Sequence, residues 1–211
     1  GMLETSVLGE AVHPRTFNTL RRIREAGVYS VLVGPEISLE QLQRLRPRGI
    51  ILSGGPASVY EPDAPSIDPR LFQLGVPVLG ICYGMQVGAQ LLGASVQNAR
   101  SREYGRAQLT IHDKAELLDS VPDHTSVWMS HGDQVQTLPE DFRPLATTPT
   151  CPFAAVRHRE QPFFGLQFHP EVTHTPHGAD ILANFLYHIC DCSGTWIMAD
   201  FLGQESARIA E

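Results

Sequence analysis

A chain of 211 residues with 42% hydrophobic and 18% charged side chains is long enough to bury a core without staples and reads as one soluble globular domain. A net charge of −7 offers no basic patch, so nucleic acid and anionic membrane are poor candidates for partners, and neither is expected. No apolar run approaches the ~20 residues of a membrane span, and no basic-then-apolar leader opens the chain.

Gly1 before Met2 reads as a remnant of tag removal. In chain order, residues 17 onward alternate short apolar runs with helical patterns, the signature of an α/β fold around a largely parallel sheet. Thr16 to Ala26 predicts a helix closed by Gly27, followed by a strand from Val28 to Val33. Ser38-Leu39-Glu40-Gln41 is a capping box, opening a helix that must stop near Pro47. Gly49 to Leu52 is a buried strand running into Ser53-Gly54-Gly55-Pro56. A short helical piece, Leu71 to Leu74, precedes the strand Val78 to Ile81 and a helix from Met85 to Leu92.

Beyond residue 100 the texture changes. Tyr104 to Ile111, Val127 to Met129, Leu145 to Thr147, Phe153 to Val156 and Phe163 to Phe168 read as further strands, some of them antiparallel additions to the core. Ala179 to Cys190 carries Ile181, Leu182, Phe185, Leu186 and Ile189 at helical spacing. The tail from Thr195 to Glu211 reads as helical and lies beyond the compact unit. Four cysteines in a chain of this length are no disulfide framework, which points to a reducing cytoplasm. His188, Cys190 and Cys192 match no common zinc spacing, and no metal site is expected.

The chemistry concentrates at Val78-Leu79-Gly80-Ile81-Cys82-Tyr83-Gly84-Met85-Gln86. A strand ending in Gly-x-Cys-x-Gly and passing at once into a helix is the layout of a nucleophile elbow, with cysteine as the nucleophile. A cysteine at a helix start feels the positive end of the helix, which favours the reactive thiolate. Such a nucleophile needs a base, a group to orient the base, and donors for an oxyanion. Nine histidines are candidates, and position alone does not choose among them. His169-Pro170-Glu171 is the best placed, because it follows the apolar run Phe163 to Phe168, at a strand end where α/β proteins build their sites. The carboxylate two residues on can hold the imidazole tautomer; the alternative is a surface turn with an incidental ion pair. Ser53-Gly54-Gly55-Pro56 can aim backbone N–H groups outward as oxyanion donors, or be a tight turn. It lacks the Lys-Ser/Thr ending of a phosphate loop.

In this order and at these spacings, Gly-Ile-Cys-Tyr-Gly-Met-Gln, Leu-Ser-Gly-Gly-Pro and Gly-Leu-Gln-Phe-His-Pro-Glu resemble the motifs of class I, triad-type glutamine amidotransferases. Trp128-Met129-Ser130-His131-Gly132-Asp133 and His169 to Thr175 look like the amidotransferase domain of GMP synthetases, and the resemblance covers residues 17 to 211. It implies a flavodoxin-like fold, Cys82 as nucleophile, His169 as base and acid, and Glu171 as the orienting carboxylate. It further implies that the N–H groups of Gly55 and Tyr83 form the oxyanion hole. Gln86 and the backbone of Ser130, His131 and Gly132 would bind the amino-acid end of glutamine. The implied reaction is hydrolysis of glutamine to glutamate and ammonia, without metal or organic cofactor. The implied partner is an ATP-pyrophosphatase synthetase domain, using ATP and Mg²⁺ to aminate XMP to GMP.

The pattern breaks at the N-terminus. Residues 6 to 11 make a poor buried strand, so either the first strand is irregular or missing or this N-terminus is not native to the fold, and His13 and Arg15 are read as part of a divergent or disordered terminus rather than as functional replacements. The division that follows is a divergent segment 1–16, an amidotransferase domain 17–190, and an extension 191–211 toward the synthetase domain. Two rival readings remain: an amidotransferase serving another biosynthetic partner, and a docking or regulatory module with little activity alone.

Overall fold

The fold is taken from a computed structural model that describes residues 5–8, 14–55, 58–62 and 64–197, with residues 5–8 and 100–102 as backbone only. Nine strands form one sheet: β1 Thr5–Leu8, β2 Ser30–Val33, β3 Gly49–Leu52, β4 Val78–Ile81, β5 Ser95–Ile111, β6 His124–Thr137, β7 Phe142–Thr147, β8 Ala155–His158 and β9 Phe163–Leu166. Their order is β2-β1-β3-β4-β9-β8-β7-β5-β6. Neighbours from β2 to β9 pair parallel, and those from β9 onward pair antiparallel. This is the α/β fold with a largely parallel core and antiparallel additions that the sequence predicts.

The central strands explain their own burial. In β3, Ile50 and Leu52 face one side of the sheet and Ile51 the other. In β9, Phe163 faces the first side and Phe164 and Leu166 the second. Strands buried on both faces read as continuous apolar runs rather than alternating ones. Helices α1 (Pro14–Glu25) and α4 (Gly178–Ala183) cover one face through Leu20, Ile23, Ile181 and Leu182. Helices α2 (Leu39–Leu45) and α3 (Tyr83–Leu91) cover the other through Leu42, Met85 and Ala89. A 3₁₀ turn, Pro69–Leu74, adds Leu71 and Phe72, with Phe72 edge-on to Phe163 at 5.6 Å. The capping box is fully formed: Gln41 N–H donates to Ser38 Oγ, and Ser38 N–H donates to the Gln41 side chain.

Several expectations need correcting. The first strand is present: Thr5–Leu8 lies inside the sheet, parallel to both β2 and β3. Its neighbours on both sides supply the pairing that its own sequence does not advertise. Helix α1 starts at Pro14 rather than Thr16, since proline suits the first turn, where its missing N–H costs nothing. The runs expected at Tyr104–Ile111 and Val127–Met129 are parts of a longer antiparallel ribbon, β5 with β6, with a register shift between Asn98 and Glu103. The helix expected over 179–190 changes to a π turn at Asn184–Ile189, where Asn184 Nδ2 donates to the carbonyls of Leu117 and Asp119. Thr195 to Ile197 are not helical, and the rest of the expected tail helix lies outside the described residues. Among the described residues, no helix is long and apolar enough to cross a membrane.

Candidate active site

Cys82 sits between the end of β4 and the first residue of α3, with φ 52° and ψ −108°. An L side chain rarely adopts this backbone, and it aims the thiol off the sheet edge. The flanking glycines are required by close approach. A Cβ on Gly84 would lie 2.1 Å from the Leu52 carbonyl oxygen, and one on Gly80 would lie 2.7 Å from the Gly84 carbonyl oxygen. The Cys82 N–H donates to the Leu166 carbonyl at 2.7 Å, and the Cys82 carbonyl accepts the Gln86 N–H at 3.1 Å.

His169 follows β9, the neighbour of β4. Its N–H donates to the Trp128 carbonyl at 3.0 Å and its carbonyl accepts from Thr175 Oγ1 at 2.7 Å. The ring is fully buried, and Nδ1 lies 2.8 Å from Glu171 Oε1. Neutral imidazole then carries its proton on Nδ1, donated to Glu171, and presents Nε2 as the acceptor. Burial alone would lower the pKa of His169. The negative charges of the Cys82 thiolate and of Glu171 outweigh it and raise the pKa to about 9. Gly54 closes the contact from β3, since a Cβ there would stand 3.1 Å from His169 Cε1 and 3.4 Å from Cys82 Cβ.

The glycine turn, the elbow and the 130–133 segment face a cavity of about 420 Å³ lined by Gly55, Cys82, Tyr83, Gln86, Ser130, His131, Gly132 and Asp133. The sequence-predicted set is therefore brought to one place, with His169 and Glu171 behind the cysteine. Gln86 Nε2 donates to the Asp133 carbonyl at 2.7 Å, which fixes the side chain in the wall. Tyr83 anchors the elbow through its hydroxyl, which donates to the Pro65 carbonyl at 2.6 Å. The Cys82 thiol lies 3.6 Å from the Ser130 carbonyl. Burial lowers the pKa of His131 against the opposing pull of Glu103, whose carboxylate lies 3.3 Å from Nε2. Burial pushes the Cys151 thiol up to about 12, and raises Cys190 too, which disfavours the thiolate at both. Among the described residues, no group of three or more His, Cys, Asp or Glu side chains could hold a metal ion.

Sequence similarity agrees with this geometry. The profile of the family Glutamine amidotransferase class-I matches residues 13–189. The chain belongs to that family. A GMP synthase [glutamine-hydrolyzing] of Staphylococcus carnosus is 53% identical over 192 residues, which are 90% of this chain and 37% of that protein. The enzyme of the same description from Thermosynechococcus vestitus is 52% identical over 188 residues, 89% of this chain and 35% of its own. The chain thus spans little more than a third of these curated relatives. Among solved structures, a GMP synthase component from Thermoplasma acidophilum, so assigned by its description, superposes with a TM-score of 0.76 at 34% identity, covering 90% of this chain and 95% of that one.

Three features of this site go beyond the residues that the sequence singles out. Gln167 Nε2 lies 3.8 Å from Cys82 Sγ, and its place in the motif run before His169 is the signal that could have found it. Asp133, which the sequence places in a motif without a role, lines the cavity and accepts a hydrogen bond from Ser58 Oγ. Arg15, assigned from sequence to a divergent terminus, reaches the buried histidine itself: Nη1 contacts His169 Nε2, and Nη2 donates to Ser130 Oγ at 2.7 Å. No spacing rule links residue 15 to a histidine 154 positions further on.

Proposed function

We propose that this chain hydrolyses glutamine to glutamate and ammonia through Cys82, His169 and Glu171. The observation that carries the reading is a fully buried His169 held by Glu171 at 2.8 Å, beside a cysteine strained at the head of α3 and open to a cavity. The Cys82 thiolate attacks the side-chain carbonyl carbon of glutamine, and the N–H groups of Gly55 and Tyr83 receive the developing oxyanion. His169 Nε2 delivers the thiol proton to the amide nitrogen, so the C–N bond breaks and ammonia leaves a γ-glutamyl thioester. Water, deprotonated by His169, attacks the thioester; the C–S bond breaks, and glutamate departs with Cys82 regenerated. Glu171 keeps the imidazole oriented throughout. Gln86 and the Ser130-His131-Gly132 backbone bind the amino and carboxylate groups of the substrate. No step requires a metal or organic cofactor.

The ammonia is used by an ATP-pyrophosphatase synthetase unit, with ATP and Mg²⁺, to aminate XMP to GMP in the cytoplasm. Support comes from relatives named GMP synthase [glutamine-hydrolyzing] and from the match covering only 37% of such a relative. The stretch from Asp191 onward leads toward that unit. Two measurements test the reading. Cys82→Ala should abolish ammonia release while cooperative unfolding is retained, and persistent turnover would refute the mechanism. Adding a separately prepared synthetase part with XMP, ATP and Mg²⁺ should stimulate glutamine hydrolysis; no stimulation would refute the coupling.

A further inference from the structure

Glutamine hydrolysis by the triad gives Arg15 nothing to do, yet its guanidinium contacts His169 Nε2 and donates to Ser130 Oγ at 2.7 Å. A guanidinium only donates, so the contact holds His169 as the neutral imidazole with its Nε2 lone pair turned to Arg15, against the imidazolium that the Cys82 thiolate and Glu171 favour. That is the same lone pair that takes the Cys82 proton. Nε2 cannot accept from Arg15 and carry a proton for the thiolate or the departing nitrogen at the same time. While the contact lasts, Cys82 has no base.

The placement of Arg15 is built rather than incidental. Arg15 is in the first turn of α1, and its carbonyl accepts from Thr19 Oγ1 at 3.1 Å. Two turns on, Arg22 Nε donates to the Glu171 carbonyl at 3.2 Å, tying the same helix to the other end of the His-Pro-Glu turn. The far end is tied as well: the Ala26 carbonyl accepts from Tyr187 Oη at 2.5 Å, and the Gly27 carbonyl from the Trp196 N–H at 2.7 Å. Arg15 also lines the cavity together with the acidic residues Glu61 and Asp133.

We propose that Arg15 is an autoinhibitory latch: seated on His169 Nε2 it withholds the base from Cys82, and turnover requires it to swing into the cavity toward Glu61 and Asp133. The proposal rests on the triad assignment above for what the latch controls, but not for the contact itself. The test compares the full chain with Arg15→Ala and Arg15→Lys by two readouts: the rate of Cys82 alkylation by iodoacetamide, which needs no glutamine, and kcat and KM for ammonia release.

Arg15→Ala should accelerate alkylation and raise kcat by about tenfold, below the ~10²–10⁴ that a positioned base supplies in full, with KM changed less than about twofold. Arg15→Lys should fall between wild type and Arg15→Ala, because an ammonium can still donate to Nε2 but cannot also reach Ser130 as a fork. It keeps the measurement decisive if Arg15→Ala fails to fold. Alkylation and kcat at or below wild type in the folded variants would overturn the latch, as would a kcat unchanged with a raised KM, which is the mark of a substrate-binding residue. Faster alkylation with no ammonia release from any form would sustain the latch and sink the glutaminase reading instead.

Discussion

Gly178→Ala tests whether triad geometry depends on packing outside the motif residues. Gly178 opens α4, and a Cβ there would lie 1.9 Å from the Pro170 carbonyl oxygen and 2.7 Å from its carbonyl carbon. Contacts under 3.0 Å are essentially never tolerated, so one partner must move by at least 1.1 Å. Both obstacles are backbone atoms of the residue between His169 and Glu171. The Gly178 N–H is itself bound to the Thr175 carbonyl at 3.0 Å, and Thr175 Oγ1 to the His169 carbonyl at 2.7 Å, so retreat on the helix side pulls on the same turn. Overpacking of this kind costs about 1–3 kcal/mol, which a domain with ~5–15 kcal/mol in hand survives. A displacement of about 1 Å at a reacting pair costs on the order of 100-fold in rate. Activity should therefore fall far more than stability. The assay pairs a urea-unfolding midpoint with the rate of Cys82 modification by a glutamine-analogue affinity label. A Gly178→Ala protein that labels at the wild-type rate would refute the claim that α4 sets the triad.

Two further outcomes follow from the elbow. Cys82 holds φ 52° and ψ −108°, a backbone that costs a non-glycine residue about 1–3 kcal/mol. Cys82→Gly should unfold at a higher urea midpoint than Cys82→Ala, reversing the usual ~0.5–1 kcal/mol preference for alanine near a helix; equal midpoints would argue against strain. Both variants remove the first of the charges that raise the pKa of His169 against burial, so its ring signals, followed by NMR, should titrate well below the wild-type value of about 9. The sign carries into stability. With a folded-state pKa above the ordinary 6.5, wild-type His169 contributes fully below about pH 6.5 and loses that contribution as pH rises toward 9, whereas Cys82→Ala should lack the decline. A parallel decline in both proteins would assign it to another group.

Much of this architecture is legible in local signals. The capping box at Ser38, the buried runs at Ile50–Leu52 and Val78–Ile81, and the glycine-flanked cysteine each carry their cause within a few residues. What is not legible depends on distant partners. Thr5–Leu8 is four residues long and owes its place to β2 and β3 on either side. The ribbon β5–β6 outruns its sequence signal because β6 turns polar residues inward where it builds the cavity: Val127 and Met129 face the core, and His131 and Asp133 continue the same face into the site. Hydrophobic alternation fails there because function has replaced packing. Arg15 is hidden for the same reason, since a cationic side chain in a first helical turn signals surface, not a buried partner.

The order of strands accounts for both the site and its latch. Gly54, Cys82 and His169 each follow the C-terminal end of a strand, and those strands, β3, β4 and β9, are consecutive neighbours in the sheet. Parallel neighbours stand about 4.8 Å apart with their ends on one rim, so three motifs distant in sequence meet without any long connection having to fold inward. The same rule delivers Arg15. β1 is the next parallel strand beyond β3, and the helix after it begins at Pro14, placing the first turn of α1 on that rim. A chain lacking β1 would keep the triad motifs but lose the register that carries Arg15 to His169. The first strand, the least legible element of the sequence, is thus the one that decides whether the base is free or held.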